Sequence, residues 1–259
     1  MTCKINSKVE LYSGFDLRVT IRKDLGMKRR QRKDAQETRQ RLLAAAAEVF
    51  AEKGFWEGSH AEICAKARIN TAAVNYHFGG KEKLYVEAWK HAFTESVREH
   101  PPDGGVRPEA PAAQRLRGRI LAFMQRVADP NNHEIEIMHR EMANPTGLLT
   151  EVLPQALEPE RQALRSIVRE LLGGEASEQD VTLCEMSLLG QCFAPMLHLR
   201  QTRLGSHLPP PPGPPLPFGV EELVDHVIRF SLAGIGAVRA EARKNRKAPK
   251  KQPRGRASE

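Results

Sequence analysis

SHAEICAKARINTAAVNYHFGGKEKLY, residues 59–85, is the stretch whose reading decides the fold. Ser59 is suited to cap a helix, and Glu62, three residues on, completes a capping box. A short helix is therefore predicted from about Ser59 to Ala67. Arg68-Ile69-Asn70 makes a turn, Thr71 to His77 a second short helix, and Gly79-Gly80 a break. Ile63, Ala67, Ile69 and Val74 are the apolar anchors. Ala61, Cys64, Ala65, Ala67, Ala72 and Ala73 are the small residues needed where two helices cross. Two short helices around a tight turn make a helix-turn-helix, whose second helix exposes polar side chains to base edges. Thr71 and Asn75 lie four apart on one face of it, and Ala72 is placed to touch a thymine methyl. Tyr76 and His77 fall toward the phosphates. Lys81 combines a cation with the free N–H groups that open the next helix, a phosphate site, and Arg68 is within reach of the backbone too.

Outward from this block the periodicity stays helical. Leu42, Leu43, Ala46, Val49 and Phe50 recur at three and four from Asp34 onward, and Gly54 ends that helix as a C-cap glycine does. Lys81 to about His100 carries Leu84, Tyr85, Ala88, Trp89 and Phe93 as a stripe. PPDGGVRPEAP (101–111) reads as a linker. Amphipathic helices follow at about 112–128, 133–143, 148–172, 177–203 and 220–243, with PPPPGPPLP (209–217) as a stiff connector before the last. No period-two strand is present, so the fold class is all-α. The predicted divisions are a disordered basic extension (1–33), a helix-turn-helix domain (34–84), a helical ligand-binding and dimerisation bundle (85–243) and a disordered basic tail (244–259). Met27 opens MKRRQRKD as a translation start does, which makes residues 1–26 an expected upstream extension. The stretches 181–199 and 223–238 are apolar almost all round, so they need covering on more than one side.

The segment RQRLLAAAAEVFAEKGFWEGSHAEICAKARINTAAVNYHFGGKEKLY resembles the TetR/AcrR family of one-component regulators, and YHFGGKEKLY is close to the family signature. The resemblance implies that Thr71 and Ala72 face bases, whereas Ser59, Asn75, Tyr76, His77 and Lys81 mainly contact the DNA backbone. Arg68 stands where the family usually has Gly. A left-handed conformation there costs a non-glycine residue ~1 kcal/mol. HEIEIMHREMANPTGLLTEVLPQALEP (133–159) and LLGQC (188–192) are similar to the subfamily named for CecR, a regulator linked to efflux genes. That similarity implies repression, a homodimer through the last two helices, and an inducer pocket among the preceding ones. Pocket candidates are Phe123, Met124, Met138, Met142, Leu149, Phe193 and Met196.

The chain is 259 residues long and carries a net charge of +8, but the charge is unevenly spread. Residues 1–33 and 239–259 each sum to +7, which leaves the 205 residues between them at −6. Basic ends on an acidic body suit a phosphate backbone. A second reading follows from them: a non-specific nucleic-acid-binding protein acting through its ends alone. No run of 18 apolar residues exists, no signal-peptide pattern opens the chain, and the expected place is the cytoplasm. Cys3, Cys64, Cys184 and Cys192 are scattered and read as reduced, mostly buried thiols. GxSxG, HExxH, a phosphate-binding glycine loop and a Cys/His cluster are all absent, so neither enzymatic activity, a metal nor a cofactor is expected. His139 beside Glu136 reads as a surface pair. The expected partners are a double-stranded DNA operator, a small-molecule inducer and a second copy of the chain, with no membrane.

Overall fold

The computed structural model describes the backbone over residues 17–204 and 218–247, and side chains over 32–192 and 218–246 together with Arg30. Among the described residues the chain is helical throughout, in nine helices with no strand. In order these are α1 (Leu17–Glu57), α2 (His60–Ala67), α3 (Ala72–Phe78), α4 (Lys81–Glu99), α5 (Ala112–Ala128), α6 (His133–Ala143), α7 (Val152–Leu172), α8 (Glu178–Leu204) and α9 (Val220–Lys247). The expectation of a disordered extension through residue 33 does not hold from Leu17 on, because α1 runs back that far. Likewise α9 continues to Lys247, into the predicted tail. Residues 1–16, the polyproline stretch 209–217 and residues 248–259 lie outside the described residues. Gly54 does interrupt α1, at φ 75° and ψ −178°, although three further residues resume the helix.

Two cores organise the chain. The first is built on Leu42, Ala46, Val49 and Phe50 of α1, packed on Ile63 of α2, Val74 of α3, and Leu84, Tyr85, Ala88 and Trp89 of α4. The alanine run 45–47 is buried. It lets α1 approach its neighbours closely at little cost in side-chain entropy. Phe50 and Tyr85 meet edge to face, with centroids 5.0 Å apart. This core continues through Ala92 and takes in Ile137 of α6 and Leu149. A boundary at residues 84/85 therefore cuts through one packed unit. The second core joins α5, α7, α8 and α9 through Leu116, Ile120, Met124, Val168, Leu172, Val181, Leu188 and Val224.

The linker 101–111 is folded tightly onto α5. A Cβ on Gly104 would sit 2.4 Å from the Gly118 carbonyl oxygen, and one on Gly118 would sit 2.4 Å from the Asp103 carbonyl oxygen. Two glycines facing each other are what allow that approach.

Candidate nucleic-acid interface and ligand cavity

The helix-turn-helix forms as the sequence reading expects. Ser59 caps α2, with Glu62 N–H donating to Ser59 Oγ and Ser59 N–H donating to the Glu62 carboxylate, both at 3.2 Å. At the other end Arg68 is left-handed, at φ 54° and ψ 48°. Its N–H donates to Ala65 O and the Ile69 N–H to Cys64 O, which is the Schellman pattern that glycine normally closes. Arg41 of α1 donates from Nη2 to the Ala67 carbonyl, and its charge complements the negative end of α2. In the sequence Arg41 lies off the apolar stripe of that helix. Only the tertiary approach of α1 to the end of α2 reveals this contact. Asn70 Oδ1 accepts the Ala72 N–H at 2.9 Å and so caps α3, a second contact not read from the sequence.

Val74 and Phe78 point α3 inward, and Ile69 and Ala73 pack at its side. The opposite face carries Thr71, Ala72, Asn75 and Tyr76, all exposed, with Tyr76 at 82%. These positions, spaced one and four apart, form one continuous patch. His77 is half-buried and meets the Tyr76 ring edge-on at 4.9 Å. Arg68 is exposed at the turn. The other two expected contacts are already engaged within the chain. The Ser59 hydroxyl donates to Glu62, whose carboxyl is held below its ordinary range by hydrogen bonds first from Lys53 and then from Ser59. The Lys81 ammonium lies 4.6 Å from the centroid of Phe55 and donates to Trp56 O at 3.4 Å. Both residues stand at the corner between α1, α2 and α4.

A cavity of about 230 Å³ lies among α5, α6, α7 and α8. Phe123 and Met138 line it as expected, joined by Ile120, Ile135 and Leu164. Met142 does not, because it sits on the outer side of α6 and is 57% exposed. Met124 is wholly buried in the second core and Leu149 in the first, so neither lines the cavity. Phe193 and Met196 lie outside the described side chains. Cys192, on α8, does line the cavity, and burial pushes its thiol up to about 12. Cys64, Cys184 and Cys192 are all buried free thiols.

One wall of the cavity is a buried charge cluster that sequence reasoning missed. The Arg126 guanidinium, 3% exposed, donates from Nη2 to both Glu134 oxygens at 2.9 and 2.8 Å and from Nη1 to both Glu160 oxygens at 3.0 Å. Its Nε donates to Ser96 Oγ of α4 at 3.1 Å, and Phe93 lies beneath it. Burial raises the Glu134 carboxyl, against the pull of Arg126. The i,i+8 spacing of Arg126 and Glu134 crosses a loop, so no helical period announces the pair.

α6 faces both ways. Glu134, Ile135 and Met138 line the cavity. Ile137 enters the first core, and Arg140 Nε donates to Ala51 O at 2.6 Å, at the end of the straight part of α1. The buried Glu141 accepts the Tyr85 hydroxyl at 2.9 Å and the Thr146 and Gly147 N–H groups at 3.0 and 3.2 Å. The Tyr85 phenol is raised above its ordinary range by burial and then by the Glu141 charge. Elsewhere Glu99, His100 and Asp129 bring one ligand atom each within 4.8 Å of one another, but the group is partly open to solvent. Among the described residues no helix is long and apolar enough to cross a membrane.

Residues 42–88 match the family described as bacterial regulatory proteins, tetR family. Residues 112–235 match the C-terminal domain of the HTH-type transcriptional dual regulator CecR. The HTH-type transcriptional regulator SrpR of Pseudomonas putida is 28% identical over 144 residues, 55% of this chain and 65% of that protein. The HTH-type transcriptional dual regulator CecR of Shigella flexneri is 27% identical over 169 residues, 61% of this chain and 75% of that protein. A putative transcriptional regulator from Pseudomonas aeruginosa PAO1 shares the fold, with a TM-score of 0.59 at 20% identity, over 80% of this chain and 92% of its own.

Proposed function

The chain belongs to the TetR family of bacterial transcriptional regulators, and we propose that it is a homodimeric cytoplasmic repressor that leaves a palindromic operator when a small-molecule inducer binds. It binds DNA through its helix-turn-helix, and like its relatives it is a regulator rather than an enzyme.

The observation that carries the specific-operator reading is the polar face of α3, where Thr71, Ala72, Asn75 and Tyr76 stand exposed above buried Val74 and Phe78. A generic polycation needs no such oriented face. In this reading Thr71 and Ala72 address bases, while Arg68, Asn75, Tyr76, His77, Ser59 and Lys81 set the helix against the sugar-phosphate rim. Support for the dimer comes from α8 and α9. Leu183 at 53%, Met186 at 63% and Phe230 at 61% are large apolar side chains left exposed. A Cβ on Gly190, Gly234 or Gly236 would meet nothing within 4 Å, so backbone on those helices is open to close approach. A second copy of the chain is the occupant proposed for this face. Support for the inducer comes from α6, whose two faces join the cavity wall to α1 and α4. The genes under control are proposed to be efflux or drug-response genes, following the CecR similarity.

A binding selection from random duplexes tests the reading. Wild type is expected to recover an inverted repeat with half-sites about one helical turn or somewhat more apart. Thr71→Ala should change base preference at one symmetric pair of positions, by ~1–3 kcal/mol. Lys81→Ala should weaken all sequences about equally and flatten the salt dependence. Recovery of no palindrome, with equal losses in both variants, would replace this reading by non-specific binding through the basic ends.

A further inference from the structure

Among the described residues, the cavity holds one cation whose hydrogen-bonding capacity is largely unfilled. A guanidinium has five N–H donors and no acceptor. Arg126 commits its donors to Glu134, Glu160 and Ser96. Arg161, at the rim, donates to both oxygens of Glu158 at 2.8 and 2.9 Å. Arg119, which also lines the cavity and is half-buried, has a single hydrogen bond among the described residues, from Nη1 to the Pro102 carbonyl at 3.2 Å. No carboxylate among them lies within ion-pair distance of it. Burial holds this guanidinium below its ordinary value despite Glu160 and Asp103 nearby. The two carboxylates in the cavity wall are in the opposite condition, since all four of their oxygens already accept from Arg126. The remaining lining is apolar, mainly Ile120, Phe123, Ile135, Met138, Leu157 and Leu164.

We propose that the cavity selects an amphipathic carboxylate, with its acid group on Arg119 and its apolar body against Phe123, Ile135 and Met138. This rests on the inducer reading above and names the chemical class of that ligand. A carboxylate fills two guanidinium donors side by side, a bidentate geometry an alcohol or an amine lacks. An ammonium ligand would meet an arginine that repels it, and carboxylates whose four oxygens already accept from Arg126. The volume, about 230 Å³, lies below the ~300 Å³ of pockets for drug-sized molecules, so it suits a single ring with a short chain. Arg119 also holds Pro102, two residues past His100, the C-cap of α4. Ligand capture of Arg119 therefore acts on the chain that leaves the DNA-binding core.

The test is titration calorimetry at neutral pH with 4-phenylbutanoate, 4-phenylbutan-1-ol and 4-phenylbutylamine, which share one apolar body. Wild type should bind the acid at least tenfold more tightly than the alcohol, and the amine least. Arg119→Gln should bring acid and alcohol to equal affinity with the alcohol unchanged, whereas Arg119→Lys should keep part of the preference. Met138→Trp, which fills the cavity, should abolish binding of all three. Alcohol or amine binding as tightly as the acid in wild type, or acid binding unchanged in Arg119→Gln, would overturn the charge assignment and leave the cavity as a ligand site. Absence of binding by all three, or binding unchanged in Met138→Trp, would overturn the cavity reading as well. Melting curves of the variants at matched concentration establish that each is folded before it is titrated.

Discussion

In the first core, α1 to α4 bury alanines and aromatic rings, and the polar groups around them are used up in capping: Ser59 with Glu62 on α2, Arg41 on the end of α2, Asn70 on α3. In the second, α5 to α9 close around a cavity, a buried Arg126 between two carboxylates, and an apolar face that stays exposed at Leu183, Met186 and Phe230. The first unit has spent its interactions on holding one shape. The second leaves a cavity on one side and an exposed apolar face on the other, the two places where the proposed ligand and the proposed second copy would sit. The contrast fits the division of work proposed above, in which a DNA-binding unit answers to a separate ligand-binding body.

The largest expected effect breaks that contrast at the Arg126 cluster. Arg126→Met removes the counter-charge from Glu134, and such a loss costs ~3–5 kcal/mol at neutral pH. The stranded Glu134 has a folded pKa above its unfolded value, because burial already raises it. Such a group contributes fully below its unfolded pKa, and that contribution is lost as pH rises through the folded pKa. Urea melts should therefore show the variant losing stability relative to wild type as pH rises above the ordinary carboxylate range. Parallel profiles would mean that the cluster does not carry a buried charge.

The exposed face gives the next largest. Phe230→Arg should weaken dimerisation by ~2 kcal/mol, read by sedimentation over a concentration series, because a central aromatic anchor is lost. Its effect on the stability of the single chain should stay within ~0.5 kcal/mol, since the residue is exposed there. Ile228→Arg is the control. It is 8% exposed and belongs to the second core, so it should unfold the bundle instead. Equal melting losses for the two would deny that Phe230 faces a partner.

Two smaller changes sharpen the account of the reader. Arg41→Met takes away the donor at the end of α2 and should cost about 1 kcal/mol, with hydrogen exchange accelerated at the α2–α3 turn. Loss of protection spread evenly over α1 to α4 would argue against a local cap. Arg68→Gly relieves a left-handed non-glycine residue. It should raise thermal stability by up to ~1 kcal/mol. If Arg68 touches a phosphate, the same variant should flatten the log–log salt dependence of DNA binding by about 0.9. A more stable protein with an unchanged slope would leave Arg68 as a turn residue only.

Much of the reader was legible because its signals are local. The capping box at Ser59 and Glu62, the left-handed turn at Arg68 and the exposed Thr71–Asn75 face all depend on spacings of three and four within one element. The failures have the opposite character. Met142 carried the right residue type at the right helical interval, yet it faces outward, because which side of α6 meets α5 and α7 is a matter of packing. Leu149 went to the first core for the same reason. The Arg126 cluster draws on α4, α5, α6 and α7, and no window of sequence contains it.

By itself, then, the sequence determined the helical fold, the helix-turn-helix with its exposed polar face, and the apolar character of the last two helices. Periodicity and capping act over a few residues and leave their mark in the order of side chains. Only the tertiary structure decided that Ser59 and Lys81 are engaged within the chain, and that α6 joins the cavity to α1 and α4. It alone showed that Arg119 stands in the cavity with most of its donors unfilled among the described residues. Those are outcomes of which helix faces meet, and burial and charge pairing are settled by neighbours distant along the chain.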